Sequence, residues 1–290
     1  MSLITIVLSV LGALTAWSTF VFGRDASAKK ADWETDTNFV TSGLIGFATN
    51  FFDTLGIGSF APTTALFKAF KQVHDRIIPG TLNVSMTIPV VVEAFIFMTV
   101  IEVEPITLVA MLASATAGAW VGAGIIAKFS EKKIQLTMGI ALLVTAFLMF
   151  SSKMGWMPGG GEAIGLTGMK LGIGIVGNFI LGALMTAGIG LYAPCMALVY
   201  FLGLSPQVAF PIMMGSCAFL MPVASVKFVK EQAYNMKASV AIAICGTVGV
   251  FIAAYIVKSL PLDILRWLVI GVILYTSVTM LISYLKNTDK

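Results

Sequence analysis

Two heptapeptides carry the residues best suited to chemistry. Gly56-Ile57-Gly58-Ser59-Phe60-Ala61-Pro62 returns, 132 residues later, as Gly188-Ile189-Gly190-Leu191-Tyr192-Ala193-Pro194. Both interrupt long apolar stretches. Gly56, Gly58, Gly188 and Gly190 permit positive φ and close backbone approach. Pro62 and Pro194 suit the first position of a new helix, where no amide donor is missed. Each tip is therefore expected to present the first-turn amides of a half-helix, whose dipole favours negative charge. Glycine-proline breaks at corresponding places in two halves point to a binding site near a membrane midplane. Two such tips form an anion cradle that needs no buried lysine. Ser59, Thr63, Tyr192 and Cys195 flank the tips, Thr54 and Thr186 precede them, and Asn83 and Ser216 lie in the helices that follow. A hydroxyl in such a helix also bonds back to its own carbonyls, so the backbone is the firmer part of the cradle.

Two carboxylates fall inside apolar segments: Asp53, three residues before Gly56, and Glu93. An intramembrane carboxylate is costly and marks function. Both are proton-coupling candidates. The structural alternatives are a bracing hydrogen bond for Asp53 and a pairing with Lys227 for Glu93. His74, the single histidine, sits in a basic loop, and no CxxC or HExxH spacing occurs, so no metal or other cofactor is assigned. Cys195, Cys217 and Cys245 lie in apolar segments and read as small packing residues rather than a disulfide framework.

The elements that position these residues are membrane helices. The 290 residues are 58% hydrophobic and 11% charged, against about 25% charged in a soluble domain. Apolar runs of about 20 residues, long enough to span roughly 30 Å of hydrocarbon, recur throughout. They do not alternate as β-barrel strands do. The expected fold is all-α: a polytopic bundle in a lipid bilayer, with no signature of nucleic-acid binding. Residues 1–38 hold an N-terminal helix, to about Phe22, and a polar loop. Residues 39–151 form a first repeat, 152–167 a connector containing Pro158-Gly159-Gly160-Gly161, and 168–290 a second repeat. Each repeat is a broken segment followed by three spanning helices.

Loop charge gives relative orientation. In the first unit Lys68, Lys71 and Arg76, then Lys128, Lys132 and Lys133, mark the first and third loops. In the second unit the first loop is uncharged and the next holds Lys227, Lys230 and Lys237, while the third mixes Lys258 with Asp263 and Arg266. The pattern flips, which makes the repeats inverted. Inversion with three spanning helices each requires the broken segments to be re-entrant hairpins. It places the N-terminus outside and the C-terminus, with Lys286 and Lys290, in the cytoplasm. The rival count, with each broken segment as one kinked spanning helix, gives parallel repeats.

Gly56-Ile57-Gly58, Ala61-Pro62, their pseudo-repeat at Gly188 to Pro194, and the small residues of Gly118–Gly124 resemble the TauE/SafE family of sulfite exporter-like, or toluene sulfonate uptake, permeases. The resemblance covers about Phe39 to Leu285. Ser59 and Phe60 follow Gly58 where the commoner pattern is richer in glycine. The resemblance implies no enzyme but a secondary transporter of the bacterial inner membrane, exporting a small sulfur-containing anion such as sulfite, sulfoacetate or another organosulfonate. Alternating access, coupled to protons through Asp53 or Glu93, is the expected mode. The alternatives from the residues themselves are an anion channel and a sulfur-transfer membrane protein using Cys195.

Overall fold

The computed structural model describes residues 3–29, 33–99, 101–157, 159–256 and 262–286; Pro158, Lys258 and Lys290 fall outside these, as do the side chains of Asp263 and Arg266. Among the described residues the chain is all-α, with eleven helices and no strands. They are α1 (Leu3–Ala28), α2 (Phe39–Thr54), α3 (Phe60–Ala69), α4 (Ile78–Phe97), α5 (Pro105–Ile126), α6 (Glu131–Lys153), α7 (Gly168–Met185), α8 (Tyr192–Phe201), α9 (Pro206–Lys230), α10 (Met236–Ile256) and α11 (Leu262–Lys286). Eight of them are long and apolar enough to cross a membrane: α1, α4, α5, α6, α7, α9, α10 and α11. The sequence-based count of seven left out α7, which spans 18 residues, roughly 27 Å at 1.5 Å per residue. The shorter broken-segment helices are α2, α3 and α8.

The N-terminal helix is longer than the sequence suggested. It continues past Phe22 to Ala28, because Asp25 finds partners there: it accepts from Lys29 at 2.9 Å, Tyr234 at 2.6 Å and Gln232 at 3.1 Å.

Helix pairing follows a two-fold scheme. The central pairs are α4 on α9 and α6 on α11. Around them α2 packs on α10 as α7 packs on α5, α10 on α4 as α5 on α9, and α3 on α11 as α8 on α6. Exchanging α2–α6 for α7–α11 leaves this scheme unchanged; α1, on α9 and α4, stands outside it. Small residues allow the closest contacts. Gly118 and Gly122 of α5 face Phe179 and Ala183 of α7 so tightly that a Cβ at either glycine would collide with main-chain atoms, the small-xxx-small packing of helices in lipid.

Loop hydrogen bonds gather the ends of each broken segment. Thr37 Oγ1 donates to the Gln72 carbonyl at 2.8 Å and the Asn38 amide donates to Gln72 Oε1 at 2.8 Å, so α2 begins where α3 ends. Asn235, just before α10, joins this group by donating to Thr37 Oγ1 at 2.7 Å. Asp75, after α3, accepts from Gln135 near the start of α6. In the second half Lys170 Nζ donates to the Leu202 carbonyl at 3.1 Å, so α7 begins where α8 ends. The connector joins that second group through Glu104 N to Ile164 O at 2.9 Å and Ser205 N to Ala163 O at 2.9 Å.

Candidate functional site

The breaks form where the glycines predict. Gly56, Gly58 and Gly188 take φ of 85°, 90° and 92°. Gly190 does not enter the left-handed region, unlike its counterpart Gly58. The prolines correct the sequence reading: α3 starts at Phe60 and α8 at Tyr192, so Pro62 and Pro194 occupy the third helical position rather than the first. The amide lost at that position is still one that has no partner within its own helix. The first-turn amides without a partner in their own helix are then those of Phe60 and Ala61 in one tip and of Tyr192 and Ala193 in the other. The first intrahelical bonds close behind them, Thr63 N to Ser59 O at 3.0 Å and Cys195 N to Leu191 O at 2.9 Å.

The two tips meet in the interior. A Cβ placed on Gly190 would lie 4.0 Å from Phe60 Cβ. Phe60, Ala61, Leu191 and Tyr192 are all buried. A cavity of about 420 Å³ is bounded by Gly56 and Ile57 of the first tip and Tyr192 and Ala193 of the second. Exposed Ser152 and half-buried Lys153 at the end of α6, and Met157 just beyond it, form its mouth, with Tyr200 and Phe210 on its walls. Two water-sized pockets of about 20 Å³ each continue it between the tips. One is lined by Asp53, Gly58, Ser59, Gly190, Tyr192 and Cys217, among others. The second includes Pro62, Thr145 and Ala193.

The buried carboxylates sit beside the tips. Asp53 is 2% exposed and Glu93 fully buried. Asp53 Oδ2 accepts from Ser59 Oγ at 2.7 Å, bracing the first tip. Among the described residues its Oδ1 has no partner. Glu93 Oε1 accepts from Thr54 Oγ1 at 2.9 Å and Oε2 from the Tyr192 hydroxyl at 3.0 Å, joining the end of α2 to the start of α8 through α4. Lys227, the alternative partner of Glu93, instead lies over the Trp120 ring, 4.6 Å from its centre.

The remaining expected residues divide. Thr63 is buried and donates to Thr49 Oγ1 at 2.9 Å, tying α3 to α2. Asn83 donates back to the Pro79 carbonyl, and Ser216 accepts from Asn178; neither lines these cavities. Cys195 is fully buried and also outside the cavity walls, whereas Cys217, 3.6 Å from Met185 Sδ, borders the small pocket. Lys153, Tyr200 and Phe210 were not among the expected site residues. No motif marks them, since each reaches the cavity only through the way α6, α8 and α9 pack. Among the described residues no group of three or more His, Cys, Asp or Glu could hold a metal ion.

Comparison with curated proteins and with solved structures found no match. The family described as Sulfite exporter TauE/SafE matches residues 170–290, from the start of α7 through α11, including the whole second tip. Over residues 170–290 the chain is therefore similar to the TauE/SafE sulfite exporter family.

Proposed function

We propose that the protein is a secondary transporter that exports a small sulfur-containing anion (sulfite, sulfoacetate or another organosulfonate) by alternating access, with the anion held between the two tips. The observation that carries this is the meeting of two broken-helix tips at one cavity, each with first-turn amides that have no partner inside their own helix, with Tyr192 beside them. Helix N-termini bind oxyanions without a buried cation, and irregular backbone inside a bilayer is tolerated where it lines a watery cavity. Gly56, Gly58, Ser59, Pro62, Thr63, Gly188, Gly190, Tyr192, Pro194 and Cys195 belong to this paired-tip cradle as contact or framing residues. Asn83 and Ser216 serve the helices behind it.

Inverted repeats at 39–151 and 168–290 are the architecture we infer. The two-fold pairing scheme and the separate gathering of each hairpin's ends support it. The basic residues Lys68, Lys71, Arg76, Lys128, Lys132 and Lys133 lie on the side where α2 begins and α3 ends, which the positive-inside rule makes cytoplasmic. The mouth at Ser152–Met157 then faces outside, and the conformation is outward-open. Asp53 and Glu93 couple transport to protons.

The test is flux in proteoliposomes loaded with sulfite, sulfoacetate or isethionate. Saturable uptake with counterflow is expected. Flux without saturation or counterflow would make the protein a channel, and no flux of any of these anions would overturn the reading.

A further inference from the structure

Thr54 has one hydroxyl proton and two acceptors. Its Oγ1 lies 2.9 Å from the Asn50 carbonyl and 2.9 Å from Glu93 Oε1. Two arrangements satisfy this geometry. In the first, Glu93 is ionised and accepts from both Thr54 and Tyr192. In the second, Glu93 carries a proton on Oε1 and donates it to Thr54, which donates to Asn50; Glu93 Oε2 then holds Tyr192 only as a neutral acceptor. Hydrogen bonds to a charged acceptor are roughly twice as strong as neutral ones, so the proton loosens Tyr192. Tyr192 also borders the small pocket between the tips, with Asp53, Ser59, Gly190 and Cys217.

Lys153 of α6 lines the large cavity but not the small pocket beside Asp53 and Tyr192; the other charges on the surrounding helices are engaged elsewhere or exposed. Lys68 of α3 pairs with Asp75, Lys227 of α9 lies over Trp120, and Lys237 of α10 donates to the Glu34 carbonyl. Asp25 of α1 is held by Lys29 and Tyr234, while Arg24 and Lys230 are exposed. The titratable groups beside Glu93 are therefore Asp53 of α2, Tyr192 of α8 and Cys217 of α9. None of them is a cation, so a second negative charge at the tips meets no counter-charge there.

We propose that Glu93 is the carrier's resident anion: without substrate it holds Tyr192 in place of an oxyanion, and substrate takes Tyr192 only when Glu93 takes a proton, so one proton crosses with each anion. This rests on the transport reading above and adds its stoichiometry and direction. The proton comes from water on the loading side and returns to water on the far side as the anion leaves and Glu93 recaptures Tyr192. Anion-for-anion exchange leaves Glu93 protonated throughout and moves no net proton.

The experiment uses the full chain in proteoliposomes containing a pH-sensitive dye. The probes are sulfoacetate and isethionate, whose sulfonate groups stay ionised near neutral pH and do not distort the proton count. Net uptake by wild type is expected to acidify the lumen, by one proton per anion, and to rise about tenfold for each unit the outer pH is lowered, until Glu93 is saturated. Counterflow is expected to leave lumenal pH unchanged. Glu93→Gln, which fixes the neutral form, is expected to keep measurable counterflow, showing that it is folded, while its net uptake loses both pH dependence and acidification. Tyr192→Phe should weaken the apparent affinity for anion about tenfold while retaining acidification. Anion uptake by wild type with no proton movement overturns the proposal and leaves transport standing. So does Glu93→Gln net uptake with a wild-type pH profile. Absence of counterflow with both probes and with sulfite overturns transport and this proposal together.

Discussion

The two tips share a helix break and differ in chemistry. At the fixed offset, Asp53, Ser59 and Thr63 of the first tip correspond to Met185, Leu191 and Cys195 of the second. The first tip is braced by its own carboxylate and hydroxyls. The second is framed by thioether, thiol and leucine, and contributes one polar side chain, Tyr192, which reaches across to Glu93 on the first half. A backbone device needs only glycine, proline and a half-helix, so both halves keep it. Carboxylates inside a bilayer are expensive, and one half suffices to carry them. On the transport reading proposed above, both tips hold the anion, while proton handling falls to one side.

Equivalent positions let this division be broken on purpose. The largest contrast is expected at the threonines. Thr54→Ala strips a buried carboxylate oxygen of its donor, a loss of about 1–3 kcal/mol. It should lower apparent transport activity about tenfold or more in proteoliposomes. Thr186, which donates only to the Ala183 carbonyl at 2.6 Å, should tolerate the same change with less than about twofold loss. Equal losses at the two sites would erase the distinction.

A second contrast lies in the glycines. Gly58→Ala forces a side chain into the left-handed region and should cost about 1–2 kcal/mol, though the space around it is open. Gly190→Ala should be close to neutral, because Gly190 is not left-handed and Phe60 stands 4.0 Å from the added carbon. Gly56→Ala and Gly188→Ala, left-handed in both halves, should each carry the backbone penalty. Thermal unfolding in detergent orders the four.

The thiol at Cys195 gives a smaller effect. It is buried outside the cavity walls, so Cys195→Ser should leave sulfite flux within about threefold of wild type. Loss of all flux would revive a sulfur-transfer role.

The smallest effect concerns acid stability at the connector face. Glu104 caps α5 by accepting from the Thr107 hydroxyl and amide and the Ile106 amide. Those bonds hold its carboxyl below the ordinary range, the Thr107 hydroxyl contributing most. The cap's stabilisation is thus present above the ordinary carboxylate pKa and is lost as pH falls through the lower, folded-state value. Glu104→Gln should flatten that part of the unfolding profile between about pH 5 and 3; an unchanged profile would remove the cap from the account.

The breaks were legible because glycine and proline act locally, and the shared register exposed both at once. The all-α membrane architecture followed from apolar run length. The partner of Glu93 was not legible. Helices α4 and α9 are buried around most of their circumference, so no polar face in the sequence shows which way a side chain points. For the same reason Asn83 and Ser216 looked like cavity residues and instead bond within the helix packing. The helix starts at Phe60 and Tyr192 were missed because a proline is tolerated throughout the first turn, so it marks a start only to within a few residues.

Anomalous diffraction from crystals grown with bromomethanesulfonate tests the cradle most directly, because bromine reports where a small sulfonate sits. The account predicts a bromine peak in the cavity between the tips, with the sulfonate oxygens within hydrogen-bond reach of the Phe60–Ala61 and Tyr192–Ala193 amides. A peak only in the loop around Lys68, Lys71 and Arg76, with the space between the tips empty at saturating anion, would contradict it.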